Sequence, residues 1–76
     1  MRGVYIKDSK DKEICLSKDV EVIAAFMEIS KYVYELTYRI ELKGNELINF
    51  INSKNLKVDA SKIDSNSLYE ITTYDW

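Results

Sequence analysis

The chain has no histidine and no proline, and among its 76 residues there are only 2 glycines and 1 cysteine. Each shortage removes a class of function. Without histidine there is no side chain suited to proton transfer near neutral pH, and the commonest metal ligand is missing. Serine or cysteine triads built on histidine, His-based zinc sites and deaminase signatures are therefore excluded. Gly3 and Gly44 stand alone, so neither GxGxxG nor GxxxxGKS is present to cradle a phosphate. The carboxylates Asp59, Asp64 and Glu70 lack the spacing and central glycine of a calcium loop and read as solvated turn residues. These absences argue against catalysis, and no cofactor or metal is expected.

Cys15 has no partner for an internal disulfide. It lies in the apolar run Ile14-Cys15-Leu16, where a free cysteine behaves as a small buried hydrophobe. A reducing cytoplasm is the expected compartment. The N-terminal stretch has no apolar signal core, and nothing approaches the ~18 uninterrupted apolar residues of a membrane span. A mature soluble chain is expected. No linker, repeat or low-complexity tract divides it, so residues 1–76 form one α+β domain. Such a domain buries only about 60–65% of the surface its unfolded chain exposes.

What is present suits a folded protein: 46% hydrophobic and 32% charged residues, with a formal net charge of -2. The sequence pI near 5.0 gives no general attraction to a phosphate backbone. Residues 3–7 and 13–17 carry Val4, Tyr5, Ile6 and Ile14, Cys15, Leu16, strand-forming runs joined by a polar loop at 8–12. Ser17 reads as the N-cap of a helix bearing Val20, Val22, Ile23, Phe26, Met27 and Ile29, with Asp19 and Glu21 near its positive dipole end. After Gly44, Asn45 reads as the cap of a second helix carrying Leu47, Ile48, Phe50 and Ile51. Its exit resembles a Schellman motif, with Asn55 left-handed and Leu56 folded back on Ile51. Residues 68–74 read as a last strand, with Tyr69 and Ile71 facing one way and Leu68 and Tyr74 the other.

Two readings compete for residues 32–43. Tyr32, Tyr34, Leu36, Tyr38, Ile40 and Leu42 alternate with mostly polar residues, as on a strand. Val22, Phe26, Ile29, Val33, Leu36 and Ile40 instead repeat at fours and threes, as on one long helix, with Glu35 and Arg39 as an i,i+4 pair. The strand is preferred, because a 25-residue helix would be ~37 Å long in a domain this small. The expected architecture is a single-layer antiparallel sheet with two helices on one face, ordered ββαβαβ, or ββααβ with one long central helix.

With catalysis set aside, the expected function is that of a small protein-binding module, an inhibitor or adaptor. Tyr69, Glu70, Tyr74, Asp75 and Trp76 are the candidate partner-binding residues, because aromatic side chains within an acidic rim suit a partner with a basic surface. From residue 58 onward Asp59, Asp64, Glu70 and Asp75 outweigh Lys62 alone. Trp76 has a competing reading as a lid folded on the core. Short acidic chains of this sort are often encoded by phages and mobile elements to block host defence or nucleic-acid-handling proteins, and that is the class-level expectation. Two other readings stand beside it. Six tyrosines, three of them on one face of the proposed central strand, would suit a platform for single-stranded nucleic acid, although without a basic groove. An exposed edge strand at 3–7 or 68–74 would suit a homodimer. Neither nucleic acid nor a membrane is the favoured partner.

Overall fold

All 76 residues are described by the structure, a computed structural model. Strands β1 (Arg2–Lys7) and β2 (Glu13–Ser17) form the opening hairpin. In its loop, Asp8 Oδ1 accepts from the backbone N–H of Lys10 and Lys12. Helix α1 (Val20–Ile29) follows, then β3 (Lys31–Tyr34), β4 (Thr37–Lys43), helix α2 (Gly44–Ser53) and, after a 3-10 turn at Ala60–Lys62, β5 (Leu68–Asp75). All pairings are antiparallel and the spatial order is β2-β1-β5-β4-β3. The ββαβαβ order holds, with its third strand folded into a hairpin.

That fold-back is at Glu35-Leu36, where both residues have positive φ, 37° and 56°. Two left-handed residues joining antiparallel strands make a tight primed turn, a geometry that normally calls for Asn-Gly. The long central helix is excluded: α1 stops at Ile29 and the β-favouring run after Ser30 goes straight into a strand. The whole domain is only 31 Å in its longest dimension, shorter than such a helix.

Alternation on the strands decides what is buried. Val4 and Ile6 of β1 and Tyr69, Ile71 and Thr73 of β5 face the helices, joined by Ile40 and Leu42 of β4. Val22, Ile23 and Phe26 of α1 and Leu47 and Ile51 of α2 close on the same face, so both helices lie on one side of the sheet. The Phe26 and Phe50 rings meet edge to face at 5.0 Å between the two helices. The other side of the sheet carries no helix.

Several local expectations are corrected. Asp19 rather than Ser17 caps α1, its carboxylate accepting from Glu21 N–H at 2.8 Å, while Ser17 Oγ accepts from Asp19 N–H. The ionised side chain two residues on, next to the first turn, is the better acceptor at the dipole end. Helix α2 begins at Gly44, with Lys43 as its cap and Lys43 N–H bonded to Glu46, so Asn45 lies inside the first turn. The exit matches expectation: Asn55 has φ 53° and Leu56 N–H donates to Ile51 C=O at 3.0 Å. Cys15 is exposed rather than buried, because it faces the helix-free side. Residues 3–7 and 68–74 are interior strands; the sheet edges are β2 and β3.

Gly44 is where the turn after the 3-10 segment docks on α2. Its N–H donates to Ser67 C=O at 2.7 Å, and a Cβ added there would lie 2.8 Å from Ser65 Cα and in hard contact with the Asp64 carbonyl. Gly44→Ala gains at most ~1 kcal/mol of helix propensity, against an overpacking cost of about 2–3 kcal/mol at a backbone that has no room to yield. The variant is expected to unfold at a clearly lower temperature in a circular-dichroism melt. At the primed turn the opposite sign is expected. Left-handed non-glycine residues cost ~1–2 kcal/mol each, and after the glycine's larger unfolded-state entropy and Asn's partial relief the net gain is about 1 kcal/mol, so Glu35→Asn with Leu36→Gly is expected to raise the melting midpoint by about 4–8 °C.

Candidate functional site

The helix-free face is built in three rungs that cross the strands. The first is Tyr34, Thr37, Tyr74 and Gly3; the second is Lys31, Arg39, Thr72, Tyr5 and Cys15; the third is Glu41, Glu70, Lys7 and Glu13. Residues directly opposite on neighbouring strands share a face. The surface thus grades from aromatic at one end to ionic at the other.

Small residues form its floor. Thr37, Thr72 and Gly3 are buried although no helix covers them, because aromatic rings lie over this part of the sheet. The rings form a row, Tyr5 against Tyr74 at 5.6 Å and Tyr74 against Trp76 at 5.8 Å, both edge to face. Trp76 Nε1–H donates to Thr37 Oγ1 at 3.0 Å, which ties the indole to β4 while 51% of the residue stays exposed. Trp76 therefore folds onto the open face and is not a lid on the core. A ring held in one orientation loses little freedom when a partner covers it, the property that makes Trp and Tyr good anchors.

The five residues singled out from sequence are divided by strand parity. Glu70, Tyr74 and Trp76 share the helix-free face. Tyr69 does not: it is 6% exposed beneath the helices, and its hydroxyl accepts from Asp64 N–H at 2.8 Å. Asp75 lies on the helix side, paired with Arg2 at 3.1 Å. Tyr32, Tyr34 and Tyr38 do not share a face either. A bulge between Tyr32 and Tyr34 reverses the alternation, so Tyr32 stacks edge to face on Tyr38 at 5.5 Å on the helix side and Tyr34 turns to the open side. Tyr5 belongs to the row and was readable from the alternation, since Val4 and Ile6 on either side point inward. Tyr34 was not, because the bulge has no mark in the sequence.

Ionic groups frame the row. Arg39 Nε is 4.0 Å from Glu70 Oε1, and Glu41 lies opposite Glu70 in the third rung. Desolvation by its neighbours, with the Glu13 charge and Tyr34 adding to it, holds the Tyr74 phenol above its usual 10.0, and Arg39 and Lys7 offset this in part. No group of three or more His, Cys, Asp or Glu side chains is gathered to hold a metal ion. No helix is long and apolar enough to cross a membrane.

The Tyr74 shift has a testable sign. A phenol whose folded pKa is raised keeps its proton longer in the native state than in the unfolded chain, so stability falls as pH rises through 10.0 and upward. Tyr74→Phe is expected to flatten that decline in denaturant titrations at alkaline pH, and to remove the phenolate absorbance component that ionises above 10.0. Comparison with protein-family models, characterised proteins and solved structures gave no match, so the chemistry of this face stands on its own geometry.

Proposed function

We propose that the chain is a non-catalytic protein-binding module, an inhibitor or adaptor, that grips its partner with the helix-free face of the sheet. One observation carries this reading: the row Tyr5–Tyr74–Trp76 is ordered, partly exposed and pinned by the indole bond to Thr37. Aromatic anchors of this kind supply most of the binding energy at protein interfaces. At the ionic end Glu13, Glu41 and Glu70 outweigh Lys7 and favour a partner that brings Arg or Lys there, whose cations also stack on Tyr and Trp rings, while Lys31 and Arg39 in the middle rung leave the face as a whole charge-balanced. A protein whose basic surface otherwise takes nucleic acid fits this chemistry, and covering that surface would block it, as phage and mobile-element inhibitors do. The lone cysteine suits a reducing compartment such as the cytoplasm.

A second reading, single-stranded nucleic acid stacked on the same rings, is favoured by one observation. The aromatic residues lie on adjacent interior strands, β1 and β5, as they do on recognition sheets. Charge balance opposes it: Lys7, Lys31 and Arg39 are matched on this face by Glu13, Glu41 and Glu70, so the excess of cations that phosphate contacts need is missing.

Quantitative affinity capture with wild type, Tyr74→Ser/Trp76→Ser and a Lys57→Ser control from the helix side separates these readings. The double variant is expected to lose its partner by about 2 kcal/mol or more, roughly thirtyfold in affinity, with the control unchanged. Retention of every wild-type partner by the double variant would overturn the assignment of this face. A gel shift of mixed single-stranded oligonucleotides that weakens steeply with salt would transfer the face to nucleic acid.

A further inference from the structure

The β3–β4 hairpin carries an exposed apolar surface of its own. All four residues of β3 are exposed, and Tyr32, Val33 and Tyr34, with Leu36 in the turn, lie between 43% and 57% exposed. The other edge strand differs: on β2, Ile14, Leu16 and Ser17 are partly covered and Glu13 adds charge. Edges are usually blunted by charge, and β3 has only Lys31 and a bulge. Leu36 keeps an apolar side chain outward at φ 56°, where glycine would cost less.

We propose that β3 pairs antiparallel with β3 of a second copy across a two-fold axis, joining two five-stranded sheets edge to edge. The segment is complementary to itself. Centring the axis between Tyr32 and Val33 sets Lys31 opposite Tyr34 of the other copy and Tyr32 opposite Val33. Lys31 and Tyr34 both belong to the helix-free face, so the ammonium meets a phenol ring. Lys31 and Glu35 have no ion-pair partner within the chain, and this register brings each within side-chain reach of the other at both ends of the ladder. Such an isologous contact closes on itself. The bulge at Val33 confines the pairing to four residues. Complete cover of Tyr32, Val33, Tyr34 and Leu36 on both copies removes roughly 800–900 Å², below a standard specific interface, so the dimer is weak.

Sedimentation velocity on the purified chain, from about 1 µM to about 1 mM, tests this, with a reversible monomer–dimer equilibrium of micromolar order expected. Val33→Lys places two ammonium groups at the axis and is expected to weaken association by at least about a hundredfold, with an unchanged circular-dichroism spectrum. Lys31→Glu and Glu35→Lys are each expected to weaken it about 5–10-fold, and the two together to bind at least about threefold tighter than Lys31→Glu alone, short of wild type because the Lys31–Tyr34 contact stays lost. That recovery decides the matter even if Val33→Lys fails to fold. A monomer mass at every wild-type concentration would overturn the proposal, as would a dimer indifferent to Val33→Lys or charge reversals that do not compensate. Tyr74→Ser/Trp76→Ser is expected to dimerise like wild type, so the test stands apart from that of the aromatic face.

Discussion

The last strand of the chain is the middle strand of the sheet. β5 lies between β1 and β4 along its full length, from Lys7↔Glu70 to Arg2↔Asp75 on one side and from Lys43↔Leu68 to Thr37↔Tyr74 on the other. No closed sheet exists until residues 68–75 have inserted between strands formed much earlier in the sequence. Pairings of such separation carry a large loop-closure cost before they return anything, so folding should be slower than for a helical domain of this size. The preceding segment guides the insertion: Asp64 holds Asn66 N–H and Ser67 Oγ, while Ser65 and Ser67 carbonyls accept from the first turn of α2. These bonds hold the Asp64 carboxyl below its usual 3.8. The anionic Asp64 thus fixes the turn from which β5 departs.

From this central position the strict alternation of β5 divides the protein's labour. Tyr69, Ile71 and Thr73 go to the helices; Glu70, Thr72 and Tyr74 go to the other side. One strand therefore builds both the core and the candidate binding face, and a register slip of one residue would exchange them. The core side has little slack, with Val4, Phe26, Leu47 and Ile71 all at 0% exposure. It also leaves the Thr73 hydroxyl buried without a partner. A valine-like role for that threonine follows: it sits in register between Val4 and Tyr38 on the core side, where its hydroxyl has no partner.

How much of this was legible depends on whether the local pattern survives in three dimensions. The opening hairpin, both helices, the Asn55 exit and the opposed faces of β5 were readable, because each rests on apolar periodicity or a residue with a definite conformational preference. Residues 32–43 were readable as β structure but not as two strands, since Glu35 and Leu36 adopt left-handed angles that neither residue advertises. The bulge at Val33 then hid which tyrosines lie together. Trp76 belonged to the candidate patch on composition, yet its placement depends on Thr37, a residue 39 positions away that carries no signal of its own. Tyr69 shows the converse: the alternation that sets it with Ile71, opposite Tyr74, already excludes it from a patch shared with Tyr74, and the structure buries it under the helices.

The position of Trp76 also determines what light can report about this molecule. It is the sole indole, and it sits half in water on the face opposite the core, hydrogen-bonded to β4 and flanked by Tyr74. In most small domains a buried tryptophan signals collapse of the core; here the emission of the native chain starts from a partly hydrated ring. Its wavelength and intensity will respond first to whatever lies on the sheet, while a loosened helix layer can leave them almost unchanged. The chain thus carries an intrinsic optical gauge of occupancy of its sheet face.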